Sequence, residues 1–274
     1  MRTITANYPG RRFPAVSVTG SQCGLGCDHC RGSFLKGMMA SDPASLERDL
    51  GTIDVDGVMI SGGCDAEGRL DLSGCTAAIS NLNAKGMRVA VHAVLPTAAE
   101  CRELAEAGVE VICMDLHGDE DVIRDVLHLN ASAQDYRESL VAARDSGARV
   151  FPHVTVGLSR QDWEGALRMA AGCGVRELAI LGLMSVAGTP LEGTEVSEEE
   201  MLEAFRTALN ANLEPTLGCM RPRSLRHLER KLLHMGVRNF ASPSRSTVVA
   251  AEEEGMTVVE TATCCCISCT SPRG

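Results

Sequence analysis

One punctuation mark recurs along this chain: an apolar-periodic stretch closes on Gly, and an aliphatic residue and a buried-looking run follow at once. It stands at Lys85-Gly86-Met87, Ala107-Gly108-Val109, Ser146-Gly147-Ala148, Cys173-Gly174-Val175 and Met235-Gly236-Val237. A helix that must stop and turn into a strand wants a left-handed residue just past its end, and Gly takes that conformation without steric cost. The five marks therefore predict five helix-to-strand steps. The runs they introduce are short and almost continuously apolar, as parallel strands covered on both faces should be. Eight are expected: Val16 to Thr19, Val58 to Ser61, Arg88 to Val94, Val109 to Leu116, Arg149 to Val156, Leu178 to Met184, Pro215 to Cys219 and Arg238 to Ala241. Thr97 with Glu100 and Ser197 with Glu200 have capping-box spacing at helix starts. Eight strands alternating with helices is the count of a (βα)8 TIM-type barrel, closed or nearly closed. An open doubly wound sheet is the alternative, but no G-x-G-x-x-G follows the first strand. No shift of composition divides the 274 residues, so we expect one barrel domain over 1–259 and a cysteine-rich C-terminal tail over 260–274.

The cysteines need a chemical explanation. Thirteen stand beside only five Phe, two Tyr and one Trp. A secreted disulfide framework fits poorly, because such frameworks belong to small domains and no apolar leader opens the sequence. No apolar run approaches the roughly 20 residues a membrane helix requires. A formal charge of −10 argues against a long basic face for nucleic acid. The expectation is a cytoplasmic protein, with neither membrane nor nucleic acid as partner, whose thiols serve metal or redox chemistry.

Three of those thiols, Cys23, Cys27 and Cys30, form CxxxCxxC in a glycine-containing loop directly after the first strand. In a barrel that loop opens on the face where active sites are built. Three thiolates at this spacing can hold three irons of a 4Fe-4S cluster and leave the fourth open to a small molecule. Zinc and unligated core thiols are the competing readings, and zinc wants a fourth ligand that the neighbouring His29 does not supply at an ordinary spacing.

In this motif and its position the sequence resembles the radical S-adenosylmethionine superfamily over nearly its whole length. The resemblance implies a 4Fe-4S cluster that binds S-adenosylmethionine through its open iron, and an external electron donor. His29 occupies the position where that family usually has an aromatic residue. Ser61-Gly62-Gly63-Cys64-Asp65 looks like the family's Gly-Gly motif, which implies contact of Ser61, Gly62, Gly63 and Asp65 with the methionyl amino group; the usual Glu is absent. Asp115, His117 and His153, at or near strand ends, are either ribose or substrate contacts or satisfied rim groups. Leu183 and Met184 look like adenine-contacting positions, with core packing as the competing reading.

A second group, Cys264, Cys265, Cys266 and Cys269, closes the sequence. Such a segment suits a disulfide switch, metal delivery or cluster ligation, and a reducing compartment favours a soft-ligand metal site. Cys219, at the end of the seventh expected strand, is its candidate partner, read either as a cluster ligand or as a buried thiol. Arg221 and Arg223 follow and would suit an anionic ligand or cluster. Ser17-Val18-Thr19-Gly20, the Gly-Gly segment with Gly68-Arg69, the Leu217 to Arg223 segment and the terminal cysteines together resemble one subunit of the two-protein lipoyl synthase, which is biotin-synthase-like. That implies an auxiliary iron-sulfur cluster, sulfur insertion into an octanoyl chain on a lipoyl-carrier protein, and a second radical S-adenosylmethionine subunit as partner. Two other readings stay open: a biotin-synthase-like enzyme acting on another small molecule, and a non-catalytic iron-sulfur scaffold or electron carrier. The remaining cysteines, Cys75, Cys101, Cys113 and Cys173, are expected in the core, and Cys64 is left unassigned.

Overall fold

The computed structural model describes residues 2–268. In chain order it runs β1 (Thr3–Asn7), β2 (Ala15–Ser17), β3 (Met39–Ala40), α1 (Leu46–Leu50), β4 (Gly57–Ser61), α2 (Thr76–Ala84), β5 (Arg88–Ala93), α3 (Ala98–Glu106), β6 (Val111–Asp115), α4 (Ala133–Arg144) and β7 (Arg149–Val156). There follow α5 (Arg160–Gly172), β8 (Glu177–Gly182), α6 (Glu198–Asn210), β9 (Glu214–Leu217), α7 (Leu228–Met235), β10 (Asn239–Ala241), α8 (Arg245–Glu253), β11 (Thr257–Thr261) and α9 (Cys265–Ser268). The eight expected strands correspond to β2 and β4 through β10. Thr19, Leu183, Met184 and Cys219, expected inside strands, lie just past their C-terminal ends.

The five glycines do what the pattern requires: Gly86, Gly108, Gly147, Gly174 and Gly236 all have φ between 73° and 105°. Each lets a helix end turn directly into the next strand. Helix starts are equally local. Thr97 and Glu100 form a full capping box, and Ser197 accepts from the Glu200 N–H. Ser132 with Asp135 forms a second full box, at the start of α4.

All strand pairs are parallel, in the order β11-β1-β10-β9-β8-β7-β6-β5-β4-β2-β3. The expected closed barrel is not formed. Closure needs β2 to pair with the far side of the sheet, but β2 pairs instead with β3, while β1 pairs with β10 and β11. The result is an eleven-stranded open half-barrel with β3 and β11 at its edges. The sequence reading missed β1 because Thr-Ile-Thr-Ala-Asn lacks the apolar continuity used to find strands.

The outer face of the sheet packs on the helices in one large core that includes Trp163, Phe205 and Phe240. The inner face is covered by the chain itself. After β11 the tail turns inward, and Cys265, Cys266 and Ile267 pack with Phe13, Ala90, Val111, Cys113, Phe151, Ala179, Leu181 and Ala241. The Ile267 carbonyl accepts from Arg88 and Arg149, both at 3.4 Å, and the Cys265 carbonyl accepts from Asn239 at 3.2 Å. Those donors sit at the starts of β7, β5 and β10, so the tail plugs the N-terminal end of the lumen. Ile267→Ala should therefore lower the unfolding free energy by about 2–5 kcal/mol in a chemical denaturation series. Val259→Ala, on the exposed side of β11, should change it by less than about 0.5 kcal/mol.

Candidate cysteine-lined site in the barrel lumen

The loop after β2 is folded against the end of β4 by bare backbone. A Cβ on Gly63 would lie 2.0 Å from the Gln22 carbonyl oxygen and 2.7 Å from Cys23 Cβ. The Gly63 N–H donates to Thr19 Oγ1 at 2.7 Å, and the Gly24 N–H donates to the Cys64 carbonyl at 2.6 Å. These contacts fix where Cys23 stands, and the Cys27 thiol donates to the Leu127 carbonyl at 3.4 Å. Cys27 and Cys64 are buried; Cys23 and Cys30 are partly open.

The thiols of this loop are tuned unequally. Contact with the Cys64 thiol, helped by backbone N–H groups and opposed by burial, brings Cys23 down to about 5. Cys64 is pushed up by the same contact. Cys30 is brought down to about 4 by contact with Cys27, against burial, with His29 adding to the effect, and Cys27 is pushed up. A low thiol pKa means a thiolate at neutral pH, which is the form that binds metal.

His29 Nδ1 is the one buried side-chain polar atom among the described residues without a hydrogen-bond partner. It stands beside Cys30. Buried polar atoms are normally satisfied, so this orphan beside three cysteines suits a group that the loop would hold. The thiolates of this loop and the orphan nitrogen beside Cys30 fit a soft metal group such as an iron-sulfur cluster.

The other expected contacts divide. The Ser61 hydroxyl donates to the His92 carbonyl at 3.2 Å. Asp65 Oδ1 accepts from the Glu67 and Arg69 N–H groups, so this carboxylate folds back into its own turn. His117 is buried, with Nδ1 2.9 Å from Asp162 Oδ2 and Tyr136 edge-on to its ring. Leu183 is buried and packs close to Gly157, where a Cβ would come within 3.0 Å of Leu183 Cβ; Met184 is partly buried.

Arg221 corrects the sequence reading. Its guanidinium donates to the carbonyls of Gly218 (2.6 Å), Ala241 (2.9 Å) and Ser242 (3.2 Å) and to Glu229 Oε1 (2.7 Å). Both terminal nitrogens are committed to holding the ends of β9 and β10 together and to Glu229. Arg223 is exposed. Glu229 also accepts from Ser244 and Thr247, and these bonds hold its carboxyl low although burial pushes the other way.

The tail delivers the second cysteine group to the lumen. Cys266 touches both Cys113 and Cys264, and Cys113 also touches His153. Burial opposes ionisation of Cys113, but those contacts outweigh it and bring the thiol down to about 6. Cys113, expected to be a plain core thiol, thus belongs to this group. Cys219 is exposed at the opposite end of the lumen from the plug, near enough to Cys264 for their charges to interact. Cys269 lies outside the described residues.

His92 was not singled out from sequence. It pairs in register with Cys113, as Asp115 pairs with His153, on the central strands β5, β6 and β7. Two-residue spacing from inward-facing Ala90, Val111 and Phe151 was the available signal: His92, Cys113, Asp115 and His153 share their parity. Asp115 overcomes the burial that opposes the charged imidazole and raises His92 to about 9.

No family model matches the sequence, and no curated protein does. Solved structures do match. The chain resembles methylornithine synthase (PylB) at 13% identity and a TM-score of 0.65, covering 94% of this chain and 84% of that one. It resembles HydG, a maturase of the FeFe-hydrogenase, at 14% and 0.65, covering 95% of this chain and 65% of HydG. It resembles Streptococcus suis SuiB bound to S-adenosylmethionine at 12% and 0.55, covering 100% of this chain and 62% of SuiB. At these identities the likeness shows the architecture, a parallel α/β half-barrel, and leaves function to the site.

The structural role found for Arg221 has a measurable consequence. Arg221→Ala leaves the Glu229 carboxylate buried and short of its cation, and should cost about 3–5 kcal/mol of stability. The double replacement Arg221→Ala with Glu229→Gln should cost less than the single one. A carboxylate held below its ordinary value, about 4.3 for Glu, stabilises the fold above that pH and loses this contribution as pH falls through the folded value. Glu229→Gln should therefore flatten the acid side of the pH–stability curve. Arg221→Ala with wild-type thermal stability would return the residue to a ligand-binding role.

Proposed function

We propose that this chain is a radical S-adenosylmethionine enzyme whose cluster is held by Cys23, Cys27 and Cys30. The observation that carries the reading is the cysteine loop itself: three thiols on one loop after β2, packed against Gly63 through Gln22 and Cys23, with the unpartnered His29 nitrogen beside Cys30. A 4Fe-4S cluster with S-adenosylmethionine supplies, when bound, single-electron cleavage of the sulfonium and abstraction of a hydrogen atom, chemistry no side chain performs. The protein's own residues do the rest. Thr19 fixes the Gly63 N–H, Ser61 and Asp65 flank the paired glycines, and His29 would offer its unpartnered Nδ1 to a group held by the loop. Leu183, Met184 and Gly157 form an apolar strand-end wall suited to an adenine ring. The SuiB likeness supports S-adenosylmethionine as ligand, since that structure contains it.

The finer reading is sulfur insertion. Cys264 and Cys266, with Cys113 and Cys219 near them, supply a second set of soft donors in the same lumen, suited to an auxiliary iron-sulfur cluster as sulfur source. These features support the lipoyl synthase reading: an octanoyl chain on a carrier protein as substrate, a second radical S-adenosylmethionine subunit as partner, and an external electron donor in the cytoplasm.

Anaerobic reconstitution with iron, sulfide, S-adenosylmethionine and reductant should yield 5′-deoxyadenosine. Replacing Cys23, Cys27 and Cys30 with Ala should abolish it. An octanoyl-lysyl peptide should stimulate that cleavage and become thiolated, and Cys264→Ala with Cys266→Ala should lower iron and sulfide by about one 4Fe-4S cluster per chain. Absence of 5′-deoxyadenosine from fully loaded protein overturns the enzyme reading; cleavage indifferent to the octanoyl peptide overturns only the substrate.

A further inference from the structure

Three side chains on consecutive strands meet inside the lumen without any cysteine among them. His92 projects from β5, Asp115 from the end of β6 and His153 from β7. His92 Nε2 lies 3.1 Å from His153 Nδ1, and Asp115 Oδ1 lies 3.6 Å from the first and 4.0 Å from the second. One nitrogen from each ring and one carboxylate oxygen all fall within 4.8 Å of one another.

We propose that His92, Asp115 and His153 form a binding site for one divalent first-row transition-metal ion. Two ligand atoms bound to a single such ion at about 2.0–2.1 Å stand roughly 3.0–3.4 Å apart at ordinary coordination angles. The two nitrogens already have that separation, and a small rotation of Asp115 brings its oxygen to it. Two imidazoles and a carboxylate from three adjacent strands make a facial set, which leaves the opposite coordination positions open.

Those open positions face space rather than protein. The side chains of His92 and His153 are 20% and 17% exposed and that of Asp115 is 44% exposed, on strands whose neighbouring residues are buried. The backbone around them is rigid. The Ser61 hydroxyl holds the His92 carbonyl, the Leu116 N–H donates to the His153 carbonyl at 2.8 Å, and Phe151 packs edge-on to the His153 ring at 5.9 Å. Ligands fixed by a sheet and by packing need little reorganisation to receive an ion. The site also explains why two histidines face each other here. Without an ion only one of the two facing nitrogens can carry the shared hydrogen, whereas an ion uses both lone pairs.

The triad contains none of the cluster thiols, but His153 touches Cys113, so the test compares chains that keep every cysteine. The test uses the full chain, stripped of metal under anaerobic conditions and titrated with cobalt(II), with bound metal counted after gel filtration. Cobalt also binds free thiols, so the comparison is between the unmodified chain and His92→Gln with His153→Gln, which share every cysteine. The unmodified chain should bind one equivalent more. Asp115→Asn, at the exposed rim where folding tolerates it, should weaken the binding of that equivalent by about tenfold or more. Equal uptake by the unmodified chain and a folded double variant overturns the site. Should the double variant fail to fold, unchanged affinity in Asp115→Asn does the same.

Discussion

A parallel sheet that stops short of closure has two problems: it exposes backbone at its edges, and it leaves its inner face uncovered. Here segments near the two ends of the described chain widen the sheet and cover its inner face. β1 and β11 extend the sheet beyond β10, and the turn of α9 enters the lumen and fills its base with Ile267, Cys265 and Cys266. Arg88, Arg149 and Asn239 satisfy the carbonyls that such a buried turn would otherwise leave bare. The same device that seals the core delivers thiols to the site. Packing and chemistry are therefore coupled at one place, because Cys266 is both part of the plug and a neighbour of Cys113.

Local signals in the sequence carried the repeating part of this fold. The five glycines past helix ends, the Thr97 and Ser197 caps and the apolar runs are each decided within a few residues, and the structure keeps all of them. What escaped was decided by contacts between distant residues. Nothing in Thr3–Asn7 says that it will lie between β10 and β11, and nothing in Cys265–Ser268 says that it will enter the lumen. Closure of the sheet is another such property. Eight strands permit a closed barrel, and the pairing of β2 with β3 prevents it.

The site was legible to the same degree and for the same reason. Cys23, Cys27 and Cys30 are close in sequence and their loop brings them together. Cys113 and His92 are isolated residues within apolar strands, and only the register of β5, β6 and β7 joins them to Asp115, His153 and the tail. Arg221 shows the converse error. An arginine at the lumen mouth invites an anionic ligand, yet four protein acceptors already take the hydrogens of its two terminal nitrogens, and the buried Glu229 supplies its countercharge. Counting donors against acceptors separates a binding arginine from a structural one, and that count needs coordinates.

The lumen consequently holds two chemically distinct sets of donors from separate parts of the chain. At one side of the mouth, a loop of backbone N–H groups and paired thiols favours thiolate at Cys23 and Cys30. Deeper in, Cys113 gains its thiolate character from contact with Cys266 and His153 instead of from backbone. The first environment is set by contacts between the loop after β2 and the residues just past β4. The second exists only when the tail is seated, because Cys266 and Cys264 reach it from beyond β11. Whatever the second group binds is thereby tied to completion of the fold, since seating the plug buries Ile267 and assembles those ligands in one event.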